Sequence, residues 1–206
     1  ILRDLRYDEV SNRVFVATPD NQLIVLDAAE FREEARFAFG GDLTLDAANR
    51  RLYAAPGESY VPEGEMPVIH IIDADSLTKI GELEGGRFLS LDTAGRRVFT
   101  GSPVTSYGEE GDQPDIAIYD LDTLEEIGRI DQPGVPVYNP LRDELVVTAY
   151  TVYTVDPDSG EILRDLLPEL QEQPFAWCNG CEMAEAAHVF AAEGLLVVEQ
   201  NKIATG

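Results

Sequence analysis

Leu45-Asp-Ala-Ala-Asn-Arg-Arg-Leu-Tyr-Ala-Ala55 carries a turn and a strand in one stretch. Asp46 and Asn49 have short polar side chains that bond nearby backbone, and the apolar run resuming at Leu52 reads as a strand. The same order of residue types recurs three times: Tyr7-Asp-Glu-Val-Ser-Asn-Arg-Val-Phe-Val-Ala17, Leu91-Asp-Thr-Ala-Gly-Arg-Arg-Val-Phe-Thr-Gly101 and Tyr138-Asn-Pro-Leu-Arg-Asp-Glu-Leu-Val-Val-Thr148. Asp8, Asp46, Asp92 or Asn139 opens each turn, and Val14, Leu52, Val98 or Leu145 restarts each apolar run.

A second anchor follows in every unit. Leu23-Ile-Val-Leu-Asp27, Val68-Ile-His-Ile-Ile-Asp73, Ile116-Ala-Ile-Tyr-Asp120 and Val152-Tyr-Thr-Val-Asp156 are strand-like runs closed by Asp. Turn residues come next, as in Ala74-Asp-Ser-Leu77, Leu121-Asp-Thr-Leu124 and Pro157-Asp-Ser-Gly160. A last strand ends the unit: Lys79-Ile-Gly-Glu-Leu83, Glu126-Ile-Gly-Arg-Ile130 and Glu161-Ile-Leu-Arg-Asp-Leu166. Four short strands, A to D, in a meander with a period of roughly 40 residues are the pattern of a β-propeller blade. The expected fold is therefore all-β, a single propeller of four-stranded antiparallel blades. The blades fall at about residues 5–40, 41–84, 85–132 and 133–170, with a partial unit over 171–206. In that last unit Ala187-His-Val-Phe-Ala-Ala-Glu-Gly194 reads as strand A with its turn, and Leu195-Leu-Val-Val-Glu199 as strand B. Four and a half blades leave an open edge, which native proteins avoid. The expectation is that the chain is part of a longer one or that another chain completes the ring.

Asn12-Arg-Val-Phe-Val-Ala-Thr18 followed by Leu23-Ile-Val-Leu-Asp27 resembles the YVTN-type β-propeller repeat, with Asn49-Arg-Arg-Leu-Tyr53 and Gly95-Arg-Arg-Val-Phe99 as looser copies. The resemblance covers about residues 5–167, and departs from the motif at Thr18 and Gly101, where its second Asn would stand. It implies a seven-bladed ring. It is nearly silent on function, because such propellers include lactonase-like enzymes, surface proteins and scaffolds.

Function in a repeat scaffold lies where the repeats depart from their own rule. The second and third units lengthen between strands B and C, with Ser59-Tyr-Val-Pro-Glu-Gly-Glu-Met-Pro67 and Ser106-Tyr-Gly-Glu-Glu-Gly-Asp-Gln-Pro114. These inserts resemble each other and emerge on one face of a propeller. Tyr60, Glu63, Glu65, Tyr107, Glu109, Glu110 and Asp112 form the candidate binding surface. Tyr offers rigid contact area at low entropy cost, and insertions on one face of a repeat array are often its binding face. The expected ligand is a protein partner, a larger complex or a cationic molecule. The competing reading is two solvated loops from a blade duplication. A weaker reading is a Ca²⁺ site built from Glu63, Glu65, Glu109, Glu110, Asp112 and Asp115, but no EF-hand spacing accompanies them.

Cys178-Asn-Gly-Cys181 lies between the fourth and fifth units. Residue 182 is Glu, so the haem motif is broken. A Zn²⁺ site lacks a fourth ligand even with His188. The readings left open are a disulfide clamping that connection and a pair of buried thiols. A disulfide implies an oxidising compartment, so the expected location is secreted, periplasmic or cell-surface. Trp177 reads as core beside the cysteines. His70 takes the strand C position held by Ile24, Ala117 and Tyr153, and reads as a packed sheet histidine. His188 is expected nearer the central channel.

Composition narrows the partners. The chain has 206 residues, with 15 Lys+Arg against 39 Asp+Glu and a formal charge of −24. Only Lys79 and Lys202 are lysines. An acidic excess argues against nucleic acid, because phosphate backbones select Lys and Arg clusters. No apolar run approaches the ~18 residues of a membrane-spanning helix. No nucleophile-elbow, zinc-protease, dinucleotide or phosphate-loop motif occurs. The recurring Asp8, Asp46 and Asp92, and Asp27, Asp73, Asp120 and Asp156, read as turn caps, since a catalytic group needs one site and not four. The main expectation is a non-catalytic binding or scaffold module. The alternative is a lactonase-like or cofactor-dependent enzyme with its site in the channel; no resident cofactor is expected in the first case.

Overall fold

The computed structural model describes residues 2–56, 67–102, 115–149 and 152–166 in full, and the backbone of two further strands, Ala184–Phe190 and Leu195–Gln200. No helix occurs among the described residues. Four antiparallel sheets of four strands follow one another along the chain. Sheet 1 contains β1 (Asp4–Asp8), β2 (Arg13–Ala17), β3 (Leu23–Asp27) and β4 (Glu33–Phe37). Sheet 2 contains β5 (Asp42–Asp46), β6 (Arg51–Ala55), β7 (Val68–Asp73) and β8 (Thr78–Glu84). Sheet 3 contains β9 (Phe88–Asp92), β10 (Arg97–Gly101), β11 (Asp115–Asp120) and β12 (Glu126–Pro133). Sheet 4 contains β13 (Val135–Asn139), β14 (Glu144–Thr148), β15 (Val152–Val155) and β16 (Ile162–Asp165). A two-stranded sheet pairs β17 (Ala184–Phe190) with β18 (Leu195–Gln200). In every sheet the spatial order is the chain order, a simple meander.

The strand pairs share one register. Asp8 faces Arg13, Asp46 faces Arg51 and Asn139 faces Glu144 across the first turn. Each outermost strand breaks its pairing near its start, and β12 breaks it a second time near its end. Glu34, Ile80, Ile127 and Leu163 are left unpaired between flanking partners, at equivalent places in β4, β8, β12 and β16. A bulge of this kind twists an edge away from further pairing. It also turns side chains outward: Ile80, Ile127 and Leu163 are all largely exposed.

The chain divides into two compact units, Ile1–Phe88 and Leu89–Gly206. In the first, β1 runs beside β5. Phe15, Ala17, Leu23 and Val25 on one face of sheet 1 pack against Leu43, Leu52, Ala54 and Ile72 on sheet 2. In the second unit, Phe99, Ile116 and Ile118 of sheet 3 pack against Leu145, Val147, Tyr153 and Val155 of sheet 4. β17 in turn approaches β13 and β14. These layers follow from the alternation of side chains along a strand. Residues two apart on β14 face one neighbour, and the intervening ones face the other. A strand with an apolar layer on both sides reads as a continuous apolar run, as Leu145-Val-Val-Thr148 does.

Candidate functional site

The two ends of each sheet are built differently. At one end lie the connections between the first and second strands and between the third and fourth. At the other lies the connection between the second and third.

The first end is locked by aspartates. Asp27 Oδ1 accepts the N–H groups of Ala29 and Glu30 at 2.9 and 2.7 Å. Asp73, Asp120 and Asp156 do the same for Asp75 and Ser76, Asp122 and Thr123, and Asp158 and Ser159. Phe31, Leu77, Leu124 and Gly160 follow with positive φ, closing all four turns in one left-handed step. Only the last is the glycine that this conformation favours. A second left-handed residue closes each first turn: Asn12, Arg50, Arg96 and Asp143. The carbonyls of Asn12, Arg50 and Arg96 accept the N–H groups of Ala28, Ala74 and Leu121, tying the two turns together. Sheet 4 has Pro157 at that place, which has no N–H to give. The backbone bonds leave the Asp73 and Asp156 carboxyls below their usual range.

Arginines extend this lock between neighbouring sheets. Arg50, in the first turn of sheet 2, binds Asp8 of sheet 1 through two hydrogen bonds of 2.9 and 2.6 Å. It also binds Asp75 in its own sheet at 2.7 Å. Arg13 of sheet 1 donates to the Ala74 and Asp75 carbonyls of sheet 2. In the second unit Arg97 of sheet 3 holds Asp92 at 2.7 Å and reaches Asp158 in the last turn of sheet 4. Asp8 and Asp92 are fully buried, so each depends on its guanidinium. The bond to Arg50 outweighs burial and holds the Asp8 carboxyl far below the usual carboxylate range. The sequence exposes the caps but not these clasps. The signal available was the Arg-Arg pair at 50–51 and 96–97, at a fixed offset from the capping Asp.

The second end varies in length. Sheet 1 crosses it with residues 18–22 and sheet 4 with 149–151, whereas sheets 2 and 3 use 56–67 and 102–114. Tyr60, Glu63, Glu65, Tyr107, Glu109, Glu110 and Asp112 belong to these long connections and lie outside the described residues, as do Cys178 and Cys181. Their footings are described. Pro67 accepts the Gly85 N–H at 3.2 Å, fixing the start of β7 to the end of β8. Ser102 bridges to Gly134. Gly101 sits so close to this bridge that a Cβ there would fall 2.2 Å from the Gly134 carbonyl oxygen. The Tyr153 hydroxyl donates to the Pro133 carbonyl at 3.1 Å, and burial pushes its pKa up to about 12. The base of the sheet 3 insert is therefore close-packed backbone.

His70 is half-buried on β7, its ring centroid 4.0 Å from that of Phe39. Its Nδ1 lies 3.0 Å from Glu82 Oε1 without hydrogen-bond alignment, and Glu82 is held by Lys79. Burial, aided by the Lys79 charge, pushes the imidazole pKa below its ordinary value. This is the packed histidine expected from its strand position. His188 lies on β17 opposite Val197. Among the described residues no group of three or more His, Cys, Asp or Glu side chains is placed to hold a metal ion. No described helix is long and apolar enough to cross a membrane.

A scan against protein-family models finds no match, and a search of curated proteins finds no match either. What stands on the geometry is the class: an all-β repeat chain of four-stranded antiparallel meanders.

Proposed function

We propose that the sheets are blades of a β-propeller of the YVTN-like kind, and that the protein is a non-catalytic binding scaffold. Its recognition elements are the long connections of the second and third blades. The observation that carries this reading is the contrast in length between the two ends. The first turn has four residues in all four sheets and the last turn four to six, while the middle connection ranges from residues 149–151 to residues 102–114. A repeat array that tolerates insertion at one end only has that end available for recognition. The carboxylates at the other end are committed to turn caps and arginines, which leaves them little capacity for acid–base chemistry. The inserts carry Tyr60, Glu63 and Glu65 and, in the same order, Tyr107, Glu110 and Asp112. Such a surface suits a Lys- or Arg-rich segment of a partner protein in an extracytoplasmic setting.

The test is calorimetric titration with a synthetic Lys-rich peptide. One variant carries Glu63→Gln, Glu65→Gln, Glu110→Gln and Asp112→Asn. A charge-matched variant carries Glu9→Gln, Glu30→Gln, Glu125→Gln and Glu161→Gln at the turn end. Four charge contacts at about 0.3–1 kcal/mol each predict roughly tenfold or greater weakening in the first variant. The second should change the affinity by less than about twofold, through long-range charge alone. Equal weakening in both would reduce the binding to net charge and remove the proposed surface.

A further inference from the structure

The middle strands of the four sheets repeat their cross-strand pairs, and sheet 4 departs from the pattern. In sheet 1, Phe15 pairs with Val25 and Ala17 with Leu23, on the face packed against sheet 2. In the same register sheet 2 pairs Tyr53 with Ile71, and sheet 3 pairs Phe99 with Ile118. Sheet 4 pairs Val146 with Thr154 and Thr148 with Val152. A valine thus stands where the other sheets have an aromatic ring. Thr154 replaces Val25, Ile71 and Ile118, and Thr148 replaces Ala17, Ala55 and Gly101. Leu145, Val147, Tyr153 and Val155 take the face packed on sheet 3. By alternation Val146, Thr148, Val152 and Thr154 take the other face, on the side where β17 approaches β13 and β14. All four are buried. The Thr148 and Thr154 hydroxyls are closed off from solvent, and neither has a hydrogen-bond partner among the described residues. A buried hydroxyl left in that condition is costly, and native structures rarely keep one.

We propose that the joint between sheet 4 and the β17–β18 sheet is a buried water site, with one ordered water bridging the Thr148 and Thr154 hydroxyls. Three features support water as the ligand. The first is spacing. Thr148 and Thr154 are diagonal neighbours on one face, with Cβ atoms about 7 Å apart or somewhat less. No bond joins the two hydroxyls directly, and a molecule making two hydrogen bonds of about 2.8 Å spans such a gap. The second is room. Against Phe15, Ala17, Leu23 and Val25, the four side chains of sheet 4 are together smaller by about two water molecules' share of volume. The third is chemistry. Each hydroxyl can donate once and accept twice, and the sheet 4 side of the joint carries no charge. A neutral ligand that both donates and accepts fits it, and buried water needs two to four such partners. The joints between sheets 1 and 2 and between sheets 3 and 4 are dry by the same reasoning, since aromatic and aliphatic side chains fill them.

The experiment is water-to-methyl cross-relaxation in NMR of the intact protein, with Thr, Val and Ile methyl groups labelled. The Thr148 and Thr154 methyl groups should show the signal of a water held longer than the molecule takes to tumble. Val25 and Ile118, at the equivalent places in the dry joints, should show none. Thr154→Val keeps the shape and removes one hydroxyl, so the water signal at Thr148 should fall several-fold. Thr154→Ser keeps the hydroxyl and should retain it. Urea unfolding gives a second reading. Thr148→Val and Thr154→Val each take a partner from the water and should raise the unfolding constant about fivefold. No water signal at either threonine of the parent protein would overturn the proposal. So would an equal signal at Val25 and Ile118, or a signal at Thr148 that survives Thr154→Val undiminished. A lower unfolding constant in both valine variants would mean dry, unpaired hydroxyls and would overturn it as well.

Discussion

The turn end and the loop end of these sheets obey opposite rules. At the turn end four repeats reproduce the same capping hydrogen bonds and the same left-handed positions, and arginines clasp sheet 1 to sheet 2 and sheet 3 to sheet 4. At the loop end they differ in length, and at the sheet 3 footing Gly101 and Gly134 pack backbone on backbone. A strand pair needs one fixed connection to set its register, and the other is then at liberty to change. The difference teaches that conserved geometry within a repeat array marks structure, whereas divergence on a rigid footing marks the place where function is added.

The strongest challenge to this contrast is to break the turn end. Asp8→Ala leaves the Arg50 guanidinium without its buried partner, and such losses cost about 3–5 kcal/mol. Asp75→Ala removes a partner that is 59% exposed and should cost less than about 1 kcal/mol. Urea unfolding of both variants checks the ratio, and equal costs would dissolve the clasp. The same pair sets a pH dependence. The Asp8 carboxyl is depressed in the fold, so its stabilisation is present above the ordinary carboxylate value near ~3.9 and is lost as pH falls below it. Acid titration of stability should therefore be flatter below about pH 4 in Asp8→Asn than in the parent.

Gly101→Ala probes the loop footing. Its new methyl would meet the Gly134 carbonyl and Pro136, and overpacking of this kind costs about 1–3 kcal/mol. Thermal unfolding measures it; a neutral result would show that the footing yields.

A smaller effect of opposite sign tests the shared left-handed step. Phe31 is 75% exposed at φ 54°, whereas Gly160 holds the equivalent place in sheet 4. Phe31→Gly should raise stability by about 1 kcal/mol, because an L side chain pays roughly that for left-handed backbone. Gly160→Leu should lower it by a similar amount. Smallest of all, replacing residues 57–66 by a short Gly-containing turn should shift stability by no more than about 0.6 kcal/mol, the scale of a change in loop closure.

Much of this was legible from local chemistry. Asp27, Asp73, Asp120 and Asp156 announce their caps because the bonds span only two or three residues. Strand order and the four sheets follow from apolar runs between those caps. The second role of Asp8 was not legible, because Arg50 lies in the next repeat and meets it only when sheets stack. Phe31, Leu77 and Leu124 give no sign of their left-handed turns; only Gly160 does. The bulges at Ile80 and Ile127 were hidden too, since a strand read by alternation assumes unbroken pairing. β17 begins at Ala184, before the expected Ala187, where the alanine run offers no turn signal. The similarity of the two inserts was legible by comparing repeats, and it supplies the candidate surface.

Amide hydrogen exchange on adding the Lys-rich peptide tests the division between the ends most directly. Slowed exchange should appear in the amides flanking the inserts, at Val68, Ile69, Asp115 and Ile116. The turn amides of Ala29, Asp75, Asp122 and Asp158 should stay unchanged. Slowing at the turn amides, with none beside the inserts, would contradict the account.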